Sequence, residues 1–61
     1  MIGSAMQKDS YIYVYDERGN TLYTKPGDAL VGYTGSTVTI RIGSYLYTYD
    51  ERGNTQYTKS V

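Results

Sequence analysis

"YVYDERGNTLYTK" at Tyr13–Lys25 returns as "YTYDERGNTQYTK" at Tyr47–Lys59. Ser10–Lys25 aligns with Ser44–Lys59 at an offset of 34 residues, and thirteen of the sixteen positions are identical. The differences are Ile12/Leu46, Val14/Thr48 and Leu22/Gln56. Two copies are too few for a solenoid, so this repeat describes one small fold built from a duplicated unit. Each copy is a hairpin. Apolar and aromatic residues alternate with period two on both sides of a polar "DERGN" turn.

The turn chemistry sets an expected register. Asp16-Glu17-Arg18-Gly19 and Asp50-Glu51-Arg52-Gly53 read as type I turns followed by a glycine in the left-handed region. Asp16 then faces Asn20. A regular ladder continues as Tyr15–Thr21, Val14–Leu22, Tyr13–Tyr23, Ile12–Thr24 and Tyr11–Lys25, and the second copy repeats it from Tyr49–Thr55 to Tyr45–Lys59. Gly43-Ser44 fits a two-residue turn, which pairs Ile42 with Tyr45, Ile40 with Tyr47 and Val38 with Tyr49. A two-residue turn at Thr34-Gly35 pairs Val31 with Val38 and brings Tyr33 to the same face.

Six strands are expected, at Tyr11–Asp16, Thr21–Lys25, Ala29–Tyr33, Ser36–Ile42, Tyr45–Asp50 and Thr55–Lys59. The expected fold is an all-β, six-stranded antiparallel meander, curled into a small open barrel or half-sandwich. Its first and fifth strands are pseudo-equivalent. Residues 10–61 form the single domain. Gly3-Ser4 ahead of Met6 resembles a cloning scar, so Met1–Ala5 is set aside, and residues 1–9 are expected to be a disordered tail.

"YVYDERGNT" and "YTYDERGNT" resemble the Y-x-Y-D-x-x-G-N core of the RHS/YD repeats. Those repeats are β-hairpins stacked in long arrays, which form large shells in bacterial toxins and cell-surface proteins. The resemblance covers two nine-residue windows. It implies a shared hairpin unit. This chain departs from such arrays in having only two copies, a wider spacing and an unrelated middle from Pro26 to Gly43, and its length rules out a closed shell. The chain also resembles short bacterial proteins of unassigned function with paired Y-x-Y-D-E-x-G segments, which implies no activity.

Composition narrows the function classes. The chain has 61 residues and no Cys or His, which removes disulfides, thiolate metal sites and the commonest general base. Six basic residues balance six acidic ones, which disfavours duplex nucleic acid. No segment has the length and hydropathy of a membrane span, and no signal peptide is visible. A membrane partner is not expected, and the compartment is cytoplasmic only by default. Asp16-Glu17 and Asp50-Glu51 are adjacent turn carboxylates and not a facing catalytic pair. "DERGN" also lacks the ligand spacing of a calcium loop. No catalytic, cofactor-binding or metal-binding residues are expected.

Nine tyrosines are the feature with functional reach. Tyr11, Tyr13, Tyr15, Tyr23, Tyr45, Tyr47, Tyr49 and Tyr57 form the expected tyrosine face. Its neighbours Val38, Ile40 and Ile42 favour a core or interface role. Exposed, the same rings would stack on bases or sugars. Lys25 and Lys59 end equivalent strands, and Arg18 and Arg52 sit at equivalent turn tips. Ordinary solvated charge accounts for all four better than an anion site does. Hairpin one also carries Ile12, Val14 and Leu22 on its other face, and a strand apolar on both faces is usually covered on both. Those three residues are therefore the expected interface of a homodimer. The expected function is a non-enzymatic interaction or structural module, with a protein partner or a second copy. The alternative is a binding module for single-stranded nucleic acid or glycan.

Overall fold

The computed structural model describes Met1–Val61. Seven antiparallel strands form two sheets, and there are no helices. β1 (Ile2–Lys8), β2 (Tyr11–Asp16) and β3 (Thr21–Pro26) make sheet A, in that order. β4 (Ala29–Tyr33), β5 (Thr37–Ile42), β6 (Tyr45–Asp50) and β7 (Thr55–Ser60) make sheet B. The all-β class and the strands after residue 10 agree with the pattern in the sequence. The single six-stranded meander does not, because β3 and β4 fall in different sheets and an additional strand precedes the repeat.

That strand is the segment expected to be a disordered tail. β1 pairs with β2 from Ile2↔Asp16 to Lys8↔Tyr11, with a bulge at Gly3. Ile2 is buried in the core. A Cβ on Gly3 would lie 2.5 Å from the Asp16 carbonyl oxygen, so the strand lies flat on the first turn. The inner face of β1 is Ile2, Ala5 and Gln7. Its two large apolar residues, Ile2 and Met6, fall on opposite faces and make no periodic signal, which is why sequence pattern misses the strand.

Both "DERGN" turns form as expected. The Gly19 N–H donates to the Asp16 carbonyl at 3.1 Å, and the Asp16 N–H donates to the Asn20 carbonyl at 2.8 Å. The Asp16 carboxylate accepts the Arg18 and Asn20 N–H groups at 2.8 and 2.9 Å. Asp50 accepts those of Arg52 and Asn54 at 2.9 Å each. Gly19 and Gly53 take φ of 88° and 89°, which costs a glycine almost nothing.

The β5–β6 ladder also follows the expected register throughout, from Thr37↔Asp50 to Ile42↔Tyr45. The hairpin ladders depart from it one pair beyond the turn. Tyr15↔Thr21 and Tyr49↔Thr55 hold, and then Leu22 and Gln56 bulge out. Val14 therefore pairs with Tyr23, and Thr48 with Tyr57. The Val14–Leu22 and Thr48–Gln56 pairs do not exist. Between β4 and β5 the turn is Gly35-Ser36, closed by a Thr34 N–H to Thr37 carbonyl bond of 2.8 Å. Tyr33 then pairs directly with Val38, and Val31 bulges out. All four edge strands (β1, β3, β4 and β7) carry a bulge, which twists the edge at that point. In β7 it lies at Gln56, ahead of the regular stretch from Tyr57 to Ser60.

The two inner faces share one core. Ile2, Ile12 and Val14 come from sheet A, and Val38, Ile40 and Tyr49 from sheet B. Ile12, Val14, Val38 and Ile40 are fully buried, and each contributes roughly 1.5–3 kcal/mol by leaving water. The duplicated hairpins thus turn opposite faces inward. Hairpin one buries Ile12 and Val14 and sends Tyr11, Tyr13 and Tyr15 outward. Hairpin two turns Tyr45, Tyr47 and Tyr49 to the core side, beside Ile42, Ile40 and Val38.

Gly27 sits where the chain crosses between sheets. A Cβ there would collide with Cγ2 of Ile40 and come 3.4 Å from Cγ1 of Ile12. Gly27→Ala is expected to destabilise the fold by about 1–3 kcal/mol through overpacking. Urea unfolding measures this, and an unchanged midpoint would contradict the close approach.

Candidate interaction face

The register assigns the outer face of sheet A row by row. Ser4, Tyr15 and Thr21 form one row, Met6, Tyr13 and Thr24 the next, and Lys8, Tyr11 and Pro26 the third. The middle column is tyrosine throughout. Successive rings start about 6.7 Å apart along the strand, two residues of rise. Tyr11 is 49% exposed and Met6 is also exposed, while Tyr13 and Tyr15 are half-buried between their neighbours. The face is aromatic in the middle and flanked by Ser4, Met6 and Lys8 on one side and Thr21, Thr24 and Pro26 on the other.

The other tyrosines of the expected face are dispersed. Tyr45, Tyr47 and Tyr49 lie on the inner side of sheet B, with the Tyr47 and Tyr49 rings stacked at 6.3 Å. The bulge moves Tyr57 to the outer side of sheet B, where it is 54% exposed. The corresponding bulge turns Tyr23 inward. Its hydroxyl donates to the Asp50 carbonyl at 2.8 Å, and its ring covers Gly53. Burial, reinforced by the nearby Asp50 carboxylate and Tyr49, pushes the Tyr23 hydroxyl up to about 12. Tyr23 is thus a clasp between β3 and the second turn. Simple alternation hides this role, and only the bulge reveals it.

The expected interface residues are likewise reassigned. Ile12 and Val14 have no exposed surface and cannot meet a second chain. Leu22, bulged out, is 37% exposed. The two lysines have different surroundings. Lys25 pairs with Ile12 on the inner side and places Nζ 4.9 Å from the Tyr49 ring centre, whereas Lys59 lies 6.0 Å from the Tyr57 ring.

The chain has no enclosed pocket and no cluster of three acidic, His or Cys side chains able to hold a metal. Every buried side-chain polar atom has a hydrogen-bond partner. No helix is long and apolar enough to cross a membrane. Comparison of the chain with protein-family models, with curated proteins and with solved structures gave no match.

Two titrations check these contacts. The N–H bonds from the Asn20 and Arg18 backbone hold the Asp16 carboxyl below its ordinary 3.8, and those from Asn54 and Arg52 do the same for Asp50. A depressed carboxyl stabilises the fold fully above its unfolded value and loses that contribution as pH falls through the folded one. The melting temperature is therefore expected to drop below about pH 4. Replacing both aspartates by Asn, which still accepts the N–H bonds, should flatten that drop, and an equally steep acid branch would contradict the assignment. Tyr23 works at the alkaline end. Its raised value means stability that is complete below 10.0 and is lost as pH rises through about 12. Tyr23→Phe should remove the last phenolate to appear in an absorbance titration and cost about 0.5–1.5 kcal/mol.

Proposed function

We propose that this chain is a non-enzymatic interaction module that meets its partner with the outer face of sheet A, through Tyr11, Tyr13 and Tyr15. The observation that carries the reading is the opposite orientation of the two hairpins. Tyr49, with Tyr47 packed against it, completes the core, and Tyr45 lies 51% exposed at its margin. The duplicate set lies wholly on the outer face of a central strand, with Tyr11 exposed and Tyr13 and Tyr15 half-buried. Tyr supplies a large, stiff contact area with a polar tip, and Tyr and Met are enriched at interfaces. The absence of a pocket fits recognition by an open surface. A protein partner is the leading reading. The single row of rings with Ser4, Thr21 and Thr24 beside it supports the alternative, stacking on a glycan or single-stranded nucleic acid. The balanced charge favours the glycan of those two.

The test uses a variant with Tyr11→Thr, Tyr13→Thr and Tyr15→Thr, which keeps β propensity and leaves Ile12 and Val14 in place. Tyr13→Thr alone is the milder version. Thermal unfolding verifies the fold. A protein retained by the wild-type chain and lost by both folded variants supports the leading reading, and equal retention contradicts it. Tyrosine fluorescence quenched by cellohexaose or oligothymidylate, and unquenched in the variants, selects the alternative.

A further inference from the structure

The four edges of the two sheets are not equally protected. The Ile2 N–H at the start of β1 donates to the Gly35 carbonyl at 2.8 Å. At the start of β4, the Gln7 side chain donates to the carbonyl of the preceding Asp28 at 2.8 Å and accepts the Leu30 N–H at 3.3 Å. β3 leans onto sheet B through Tyr23 and Lys25. β7 pairs with β6 alone, and all six of its residues are exposed.

The backbone of β7 shows which groups are free. The Val61 N–H donates to the Ser44 carbonyl at 2.8 Å. Backbone groups alternate along a strand, so Lys59 and Tyr57 also point at β6, while Ser60 and Thr58 point away. Hairpin one offers a control, because the Gly27 N–H donates to the Ser10 carbonyl at 2.9 Å in the equivalent place. There the residue matching Ser60 is Pro26, which has no N–H to offer. The repeat closes one copy of this edge with proline and leaves the other open.

We propose that β7 is a pairing edge for a second copy of this chain, joined antiparallel about a twofold axis at Thr58. The two Thr58 residues exchange both backbone hydrogen bonds, and Tyr57 of each chain faces Lys59 of the other, joining two four-stranded sheets into one. Charge and paired length select this register. An axis at Ser60, the other residue with outward groups, lies at the last residue of β7 and leaves Thr58 unpaired. Lys59 is the single charged residue of β7, and an axis at Lys59 would oppose two ammonium groups. An axis at Tyr57 would run the pairing into the Gln56 bulge. The Thr58 register instead sets each ammonium beside a tyrosine ring, as Lys59 and Tyr57 already stand within one chain. The chain carries no net charge to oppose association. A strand edge of this length buries less than a standard interface, so the pair is weak and transient. The inference stands on a different surface from the tyrosine face and does not depend on it.

Sedimentation equilibrium from micromolar to millimolar concentration tests it. The apparent mass should rise toward twice that of the monomer. Exchange of the Thr58 amide should slow several-fold over the same range. Thr58→Pro removes an N–H that β6 does not use, so its melting temperature should match wild type while its mass stays monomeric. The amide exchange of the wild-type chain gives an answer even if that variant fails to fold. A monomer at millimolar concentration overturns the proposal. So does association with concentration-independent exchange at Thr58, or a folded Thr58→Pro chain that associates as wild type does.

Discussion

Burial of Ile12 and Val14 against Val38 and Ile40 is the contact on which the rest of the structure depends. Two hairpins with the same turn and nearly the same strands can each point either face inward. At the positions where they differ, hairpin one carries Ile12 and Val14, and hairpin two carries Leu46 and Thr48. The β-branched pair fits a dry, close-packed layer better than a leucine and a hydroxyl do. Thr48 instead bonds Thr39 across the outer side of sheet B at 3.1 Å. Tyr49 and Tyr47 of hairpin two then complete the core beside β5, with Tyr45 at its exposed margin, and the tyrosine side of hairpin one is left outside.

Closing so small a core requires help from its margins. Gln7 bridges β1 to β4, the Asp28 carboxylate accepts the Gly43 N–H at 2.7 Å, and Gly27 lets Ile12 and Ile40 approach each other. Tyr23 and Lys25 cover the opposite side by reaching Asp50, Gly53 and Tyr49. Most of these bonds lie at the exposed margin and fix how the sheets meet, and the Tyr23 hydroxyl is the part-buried polar group that needs its partner.

Much of this was legible in the residues. The turns were readable because Asp, Gly and Asn each have one physical role in them, and the β5–β6 register followed from a two-residue turn. β1 was hidden because its inner face is small or polar, with Ala5 and Gln7 where a pattern search needs large apolar side chains. The bulges at Leu22 and Gln56 were hidden because nothing local distinguishes a bulged residue from a paired one. The slip misplaced Tyr23, Tyr57 and Lys25 and set Leu22 beside Ile12 and Val14. Ile12 and Val14 themselves looked like an interface because the repeat suggests one inner face, the tyrosine face, for both hairpins. The tyrosine face was legible as a set of rings. Which half of it meets solvent is decided by tertiary packing.

The functional reading rests on that inversion, because a tyrosine ladder is informative only where the core does not already use it. Nuclear Overhauser effects measured across the sheets decide the matter most directly. The account predicts contacts from the Ile12 and Val14 methyl groups to those of Val38 and Ile40, with the Tyr49 ring in the same cluster and the Tyr13 and Tyr15 rings outside it. Contacts from Tyr13 and Tyr15 to Val38 and Ile40, with Ile12 and Val14 facing solvent, would contradict it.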